Sequence, residues 1–292
     1  MQAPIIFDRK AIRQYKDRAA DTLHHVAPVF EAAADILLDR LNDITRTFDT
    51  ALDIGGKGFI APHLAAKGIS VVQCESSLKL ARATSSRSWH TLCADEEQLP
   101  FAPESFDLVT ASLSLHSIND LPGTLSQIRH ILRPDGLLLA SIPILPTLRP
   151  LKQALENAEL ALCDGLSPRV APLPTQHSCA ALLQRCGFAL PVVDTEIIPL
   201  RYKSLTGLLQ DLRHAGESNA LAFRSKKIPP RMLFPAADAE ITYDEDGRFA
   251  MPLHMAVLTA WSPAPTQPKP LQPGQFTHSL ESALNAAHPD KE

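Results

Sequence analysis

The chain has 292 residues, of which 45% are hydrophobic and 21% charged, with a formal net charge of −4. This length supports a sizeable core in one or two domains, and the charge argues against a nucleic-acid partner. No apolar run reaches the roughly 18 residues of a transmembrane segment. The first residues resemble neither a signal nor a transit peptide, so we expect a cytoplasmic protein.

The five cysteines show no C-x-x-C spacing and are odd in number, which favours free thiols in a reducing compartment. No zinc pattern is present. The only His-x-Asp pair, at His288 and Asp290, lies in the last residues and is discounted as part of an iron site. We therefore predict no metal.

Apolar runs alternate with helical patterns through the first half of the chain. A helical segment over 7–47 precedes them. The predicted strands are 50–54, 69–74, 89–93, 106–112 and 137–142, and the predicted helices between them are 59–67, 77–85 and 121–132. Near-continuous apolar strands separated by helices predict a mostly parallel sheet covered on both faces, an α/β Rossmann-like fold.

The second half is less regular. It is predicted to contain helices over 150–163, 175–186 and 204–215 and strands over 192–199, 240–249 and 252–261. The last two strands would close the sheet, one of them antiparallel, and 200–235 would form a lid over its carboxyl edge. The predicted divisions are a helical segment (1–47), a cofactor-binding domain (48–261) and a Pro-rich tail (262–292).

A Gly-rich turn follows the first strand, in the run Asp53-Ile54-Gly55-Gly56-Lys57-Gly58. Glycines let backbone and ligand approach closely, and the next helix directs its first N–H groups towards the site. The turn is therefore a candidate cofactor site. On its own it is equally compatible with a tight strand–helix connection.

Acidic residues close the next two strands. Glu75 is placed to accept both ribose hydroxyls, and Asp95 to accept from an adenine amino group while the N–H of Glu96 serves a ring nitrogen. The second acid favours S-adenosylmethionine over NAD. The alternatives are a helix N-cap or first-turn acid for Glu75 and a solvated acidic loop for Asp95.

Ser112 and His116 follow the fourth strand, at the edge where open α/β sheets bind ligands. We predict Ser112 in the cofactor site and His116 on the substrate side, near the sulfonium. Alternatively, His116 is packed and hydrogen-bonded under a lid. No acid/base pair stands out and no catalytic residue is assigned, as suits methyl transfer by in-line displacement.

Basic side chains crowd the first predicted helix. Arg9, Arg13 and Lys16 share one of its faces. This face is either plainly solvated or a contact surface, for a protein partner or for the active-site entrance.

Several short runs resemble one known group: Phe7-Asp8-Arg9, Ser112-Leu113-Ser114-Leu115-His116, Gly216-Glu217-Ser218-Asn219 and Pro270-Leu271-Gln272-Pro273-Gly274. With the Gly-rich turn, they resemble class I S-adenosylmethionine-dependent methyltransferases. Within them the chain is similar to the mitochondrial and alphaproteobacterial complex I assembly-factor group, relatives of malonyl carrier-protein methyltransferases.

The resemblance implies a bacterial cytoplasmic protein with bound S-adenosylmethionine and a seven-stranded sheet with one reversed strand. The activity we expect is methyl transfer to a protein or carrier-bound substrate. The alternatives are arginine hydroxylation on a respiratory complex I subunit, and a non-enzymatic assembly factor with a degenerate pocket, since fold does not settle reaction.

One departure concerns the superfamily turn D-x-G-x-G-x-G, which looks one residue shorter here, with Lys57 near the methionine end of the cofactor. Its side chain is expected either to pair with the cofactor carboxylate or to point to solvent.

Overall fold

The computed structural model describes residues 5–163 and 165–268. Its centre is a seven-stranded sheet with the order β3-β2-β1-β4-β5-β9-β6, beside a two-stranded β7-β8 ribbon. The strands are β1 Thr50–Ile54, β2 Ser70–Glu75, β3 His90–Cys93, β4 Phe106–Ser112, β5 Leu132–Pro143, β6 Ala189–Ile198, β7 Arg201–Tyr202, β8 Phe249–Ala250 and β9 Leu253–Trp261. The predicted class I methyltransferase fold is confirmed.

Helices cover both faces of this sheet. They are α1 Arg9–Ala19, α2 Ala27–Asn42, α3 Ala61–Ala66, α4 Leu78–Ala83, α5 Leu121–Ile131, α6 Arg149–Leu162, α7 Gln176–Arg185, α8 Leu205–His214 and α9 Leu233–Ala239. The helical run expected over 7–47 is interrupted by a 3₁₀ turn at Leu23–His25. None of the helices in the described ranges is long and apolar enough to cross a membrane.

Every residue of β4 is buried, as a central strand covered on both faces requires. One face packs on α5 and α7 through residues such as Leu125 and Leu183. The other packs on α2 and α3 through Leu37 and Leu64. The sheet is therefore the rigid platform that fixes the loops at its carboxyl edge.

The strand order reverses beside β1. β1 pairs in parallel with β2 on one side and with β4 on the other, so the two crossovers leave it in opposite directions. Open α/β sheets bind ligands in the crevice outside the carboxyl ends at such a switch point. The loops after β1, β2 and β4 meet there.

The late strands differ from expectation. The strand predicted over 240–249 is wrong, because these residues mostly form a turn in which Asp244 accepts N–H groups from Gly247 and Arg248. Only Phe249 and Ala250 pair, as β8. β9 is the reversed strand, antiparallel to both β5 and β6, so β6 rather than 240–249 completes the sheet.

Helix α9 was not predicted from the sequence. It packs with α6, α8 and β8 in an apolar cluster that includes Leu151, Leu208, Leu233 and Phe249. This cluster, which we call the lid cluster, is separate from the two cores on the sheet faces. The position of 200–235 as a lid stays a prediction.

We expect Leu233→Ala to loosen the lid cluster by about 2–5 kcal/mol, because its side chain is fully buried. Amide hydrogen exchange should quicken in α6, α8 and α9 and stay unchanged in β4 and β5, since sub-regions open separately. Leu125→Ala, under the sheet, is the matched control and should quicken exchange throughout. Equal effects of both variants on β4 would contradict an independent lid cluster.

Candidate functional site

The Gly-rich turn after β1 is shaped by contacts within the chain. Gly55 has φ +62°, and a Cβ added there would lie 2.6 Å from Cβ of Ser114. A Cβ on Gly56 would lie 2.0 Å from the Asp53 carboxylate. Both glycines are therefore required by the close approach of the turn to β1 and to the loop after β4, whether or not a ligand is bound.

Asp53 lies fully buried in β1. The Thr110 hydroxyl donates to its Oδ1 at 2.9 Å, while Oδ2 has no hydrogen-bond partner. Burial raises the pKa of Asp53 to about 7, because the charged form is costly away from water.

Glu75 ends β2 and points under the turn. The Lys57 N–H donates to its Oε1 at 2.7 Å, while Oε2 is buried without a partner. Burial raises the pKa of Glu75 despite the opposing attraction of Lys57 and Lys16. The N-cap alternative is wrong, because Ser77 caps α4 by accepting the Leu80 N–H.

Asp95 and Glu96 are held by cations from α1. Arg9 donates to Asp95 at 2.7 Å and to Glu96 at 2.5 Å, and Arg13 takes the second oxygen of Asp95 at 2.8 Å. Lys16 donates to Glu96 at 2.7 Å and to Ser76 at 2.9 Å. The acidic loop is therefore paired rather than solvated.

Glu96 is fully buried in this network. Burial alone would raise its pKa, but the attraction of Lys16 and Arg9 outweighs it and holds the pKa of Glu96 well below its usual range. Reciprocally, Glu96 and Glu75 outweigh burial and raise the pKa of Lys16. The pair is ionised, so α1 is bound to the carboxyl edge of β2 and β3 by full charges.

The expectation of a solvated basic face on α1 is wrong for two of its three members. Lys16 is buried, Arg9 is mostly buried, and only Arg13 stays half-exposed. The alternative, a contact surface at the active-site entrance, agrees with the position of this face against Asp95 and Glu96. Arg9 and Lys16 are buried because both pair with Glu96, and no pattern in the chain indicates that this acid is itself buried.

Lys57 is buried in the turn, at φ +53°. Its ammonium donates to the carbonyls of Gly55 and Leu113 at 3.2 and 3.3 Å and lies 4.7 Å from the centre of the Phe30 ring. Burial is the main cause that lowers the pKa of Lys57. The solvent-pointing alternative is wrong, and Lys57 makes no ion pair with a carboxylate in the described ranges.

His116 lies beyond β4 and faces the lid cluster. Its Nε2 is 2.9 Å from Oε2 of Glu217, so it is hydrogen-bonded under the residues after α8. His116 also lines a cavity of about 460 Å³ whose largely apolar walls include Phe30, Leu151 and Leu208. Glu217 was missed as a site residue, although the Gly-Glu-Ser-Asn run had been singled out.

Several buried polar atoms without partners collect at the switch point. They are Oδ2 of Asp53, Oε2 of Glu75 and the hydroxyl of Ser112, at the ends of β1, β2 and β4. Buried polar groups normally have partners, so this edge has the acceptors that a ligand with hydroxyl donors needs. No three His, Cys, Asp or Glu side chains group as metal ligands within residues 5–163 and 165–268.

Residues 52–140 match the family described as "Methyltransferase domain". The human protein "Arginine-hydroxylase NDUFAF5, mitochondrial" is 36% identical over 285 residues, covering 94% of this chain and 82% of that one. The malonyl-[acyl-carrier protein] O-methyltransferase of Gallionella capsiferriformans is 31% identical over 279 residues, covering 89% and 93%.

Solved structures agree on the fold. The [4+2]-cyclase SpnF superposes with a TM-score of 0.58 at 17% identity, covering 90% of this chain and 98% of that one. A putative methyltransferase from Bacillus halodurans superposes with a TM-score of 0.55 at 14% identity, covering 78% and 99%.

The match over 52–140 and the fold place the chain among the class I S-adenosylmethionine-dependent methyltransferases. It belongs to the family that contains the arginine-hydroxylase NDUFAF5 proteins and the malonyl-[acyl-carrier protein] O-methyltransferases. Membership implies S-adenosylmethionine as cofactor.

We expect Asp53→Asn to flatten the pH dependence of stability. The pKa of Asp53 is about 7 in the folded chain and about 4 in the unfolded chain. The contribution of protonated Asp53 to the free energy of unfolding is therefore complete below pH 4 and is lost as the pH rises to 7. The free energy of unfolding, measured with urea, should fall less between pH 5 and pH 8 in the variant than in the unmodified chain. Asp107→Asn is the control, since the pKa of Asp107 is lowered. An unchanged fall in Asp53→Asn would contradict a protonated Asp53.

Proposed function

We propose that this protein transfers a methyl group from S-adenosylmethionine to a protein or carrier-bound substrate. One observation carries the proposal. The buried, partly unpaired carboxylate of Glu75 lies at the switch point, and a mostly apolar cavity begins at Leu113 and His116, on the neighbouring loop. In this proposal, the cofactor binds at the switch point and the substrate binds in the adjoining cavity.

S-adenosylmethionine, when bound, supplies an electrophilic methyl group. The chain then has to align the acceptor and exclude water rather than remove a proton with a strong base. We assign Glu75 to the ribose hydroxyls, Asp95 and the Glu96 N–H to adenine, and Asp53, Ser112 and the turn from Gly55 to Gly58 to the rest of the cofactor.

For Asp95, this role requires sharing an oxygen that Arg9 or Arg13 now holds. Helix α1 is therefore part of the cofactor site in this proposal. For Lys57, we assign the cofactor carboxylate, because a buried ammonium bonded only to carbonyls lacks a counter-ion.

The substrate end has apolar walls with the His116–Glu217 pair at its rim. We assign His116 to orienting the acceptor, with the lid cluster closing over it. The expected partner is a protein in the cytoplasm.

Arginine hydroxylation is the second candidate. It is favoured by the carboxylates of Asp211 and Glu217 on the cavity wall, which suit a guanidinium. It is also favoured by the 34–36% identity to the arginine-hydroxylase NDUFAF5 proteins of zebrafish and human. The partner would then be a respiratory complex I subunit.

Mass spectrometry of proteins from a deletion strain and from the same strain carrying the intact gene distinguishes the candidates. Methyl transfer adds about 14 Da to the substrate, and hydroxylation about 16 Da, because the acceptor gains CH₂ or O. A gene-dependent gain of 16 Da would replace the first proposal with the second. No mass change, with no cofactor binding, would favour a non-enzymatic assembly factor.

We expect Glu75→Gln and Asp95→Asn each to weaken S-adenosylmethionine binding about tenfold to hundredfold. Losing a hydrogen bond to a charged group costs roughly 1.5–3 kcal/mol. Isothermal titration measures the affinity, and circular dichroism checks the fold. Asp107→Asn, at the opposite edge of the sheet, is the control and should bind normally. Unchanged affinity in both site variants would refute the cofactor assignment.

For Lys57, the discriminating comparison is between two ligands. Lys57→Met keeps an unbranched side chain of similar length but removes the ammonium. Affinity for S-adenosylmethionine should therefore fall about tenfold, while affinity for adenosine, which lacks the carboxylate, should not. Lys79→Met, which breaks an exposed ion pair with Asp21, is the matched control. Equal losses for both ligands would show that Lys57 does not contact the carboxylate.

A further inference from the structure

The connection between α8 and α9 exposes large apolar side chains. In residues 222–232, which we call the basic loop, Ile228 is 94% exposed, Phe223 83% and Met232 57%. Ile5, at 67%, lies beside them, because an antiparallel bridge joins Phe7 to Leu221. Large apolar side chains this exposed within one short segment indicate an interaction surface.

The loop is fastened at both ends. The Asp8 N–H donates to the Ala220 carbonyl and the Ala222 N–H to the Ile6 carbonyl, each at 2.8 Å. Arg224 forms an ion pair with Asp8 at 3.0 Å, and Leu233 is fully buried in the lid cluster. The apolar side chains are therefore held outward by a defined backbone.

The charge of the loop is opposite to that of the chain. From Ser218 to Ala237 there is no acidic residue and there are four basic ones, in a chain of net charge −4. Asp8 neutralises Arg224, whereas Lys226, Lys227 and Arg231 are exposed and form no ion pair with the described residues. The loop thus presents three uncompensated cations among three protruding apolar side chains.

We propose that the basic loop binds the surface of an anionic lipid bilayer. Phe223, Ile228 and Met232 enter the headgroup region, and the cations contact lipid phosphates, a combination that binds proteins to membrane surfaces. A protein partner would instead require a continuous apolar face for packing, whereas in this irregular segment cations alternate with the apolar side chains.

This surface adjoins the candidate site. Asn219 and Ala220 before the loop and Phe234 after it all line the cavity. Bilayer binding would bring the cavity rim close to the lipid headgroups, where a membrane-associated substrate is concentrated. The proposal concerns the loop and stands whether or not the assigned reaction is correct.

Co-sedimentation of the full chain with vesicles tests it. We expect binding to vesicles of phosphatidylcholine mixed with phosphatidylglycerol, little binding to phosphatidylcholine alone, and weakening by added salt. The triple variant Lys226→Glu, Lys227→Glu, Arg231→Glu and the triple variant Phe223→Ser, Ile228→Ser, Met232→Ser should each lose at least about tenfold in partition.

The matched controls are Arg185→Glu and the pair Leu190→Ser, Val192→Ser, which alter exposed residues at the other end of the sheet and should bind normally. Thermal unfolding checks that every variant is folded. Failure of the unmodified chain to bind anionic vesicles, or equal losses in the controls, would overturn the proposal. Retention on immobilised polyglutamate without vesicle binding would assign the loop to an acidic protein instead.

Discussion

The burial of Glu96 between Arg9 and Lys16 is the interaction on which the site depends. A carboxylate without solvent is stable as an ion only when cations and hydrogen bonds replace water, and both cations come from α1. The same contacts bring α1 over Glu75 and Asp95. The first helix is consequently a wall of the candidate cofactor site rather than an appendage to the sheet.

A third cation completes this arrangement from within the turn. The Lys57 N–H donates to Glu75, while its ammonium donates to the Leu113 carbonyl in the loop after β4 and lies over the ring of Phe30 in α2. The Gly-rich turn therefore connects the end of β2, the loop after β4 and α2. The backbone of Lys57 is held by Glu75 and its ammonium by the carbonyls of Gly55 and Leu113. A bound cofactor therefore contacts the turn with the Lys57 side chain buried in it.

Much of the sheet was predictable, because β1 and β4 are mostly apolar runs followed by glycine or polar residues. Their bounds matched expectation, and so did the positions of Glu75 and Asp95 at strand ends. A strand was wrongly predicted over 240–249, because β-branched and aromatic residues flank an Asp-Gly turn there. The hydrogen bonds of that turn prevent strand pairing. The ion pairs of Arg9 and Lys16 were beyond sequence reasoning, because they join residues about 80 positions apart.

The Phe7–Leu221 bridge and the Arg224–Asp8 pair have a consequence for the order of folding. The partners of Phe7 and Asp8, just before α1, lie far along the chain, with separations of up to 216 residues. During synthesis, the first helix leaves the ribosome long before the residues that fasten it. Contacts of such long range are slow to form, because a large loop has to close first. The fastening of residues 7 and 8 to residues 221 and 224 therefore closes a much larger loop than the pairing of β1 with β2 and β4 at the centre of the sheet.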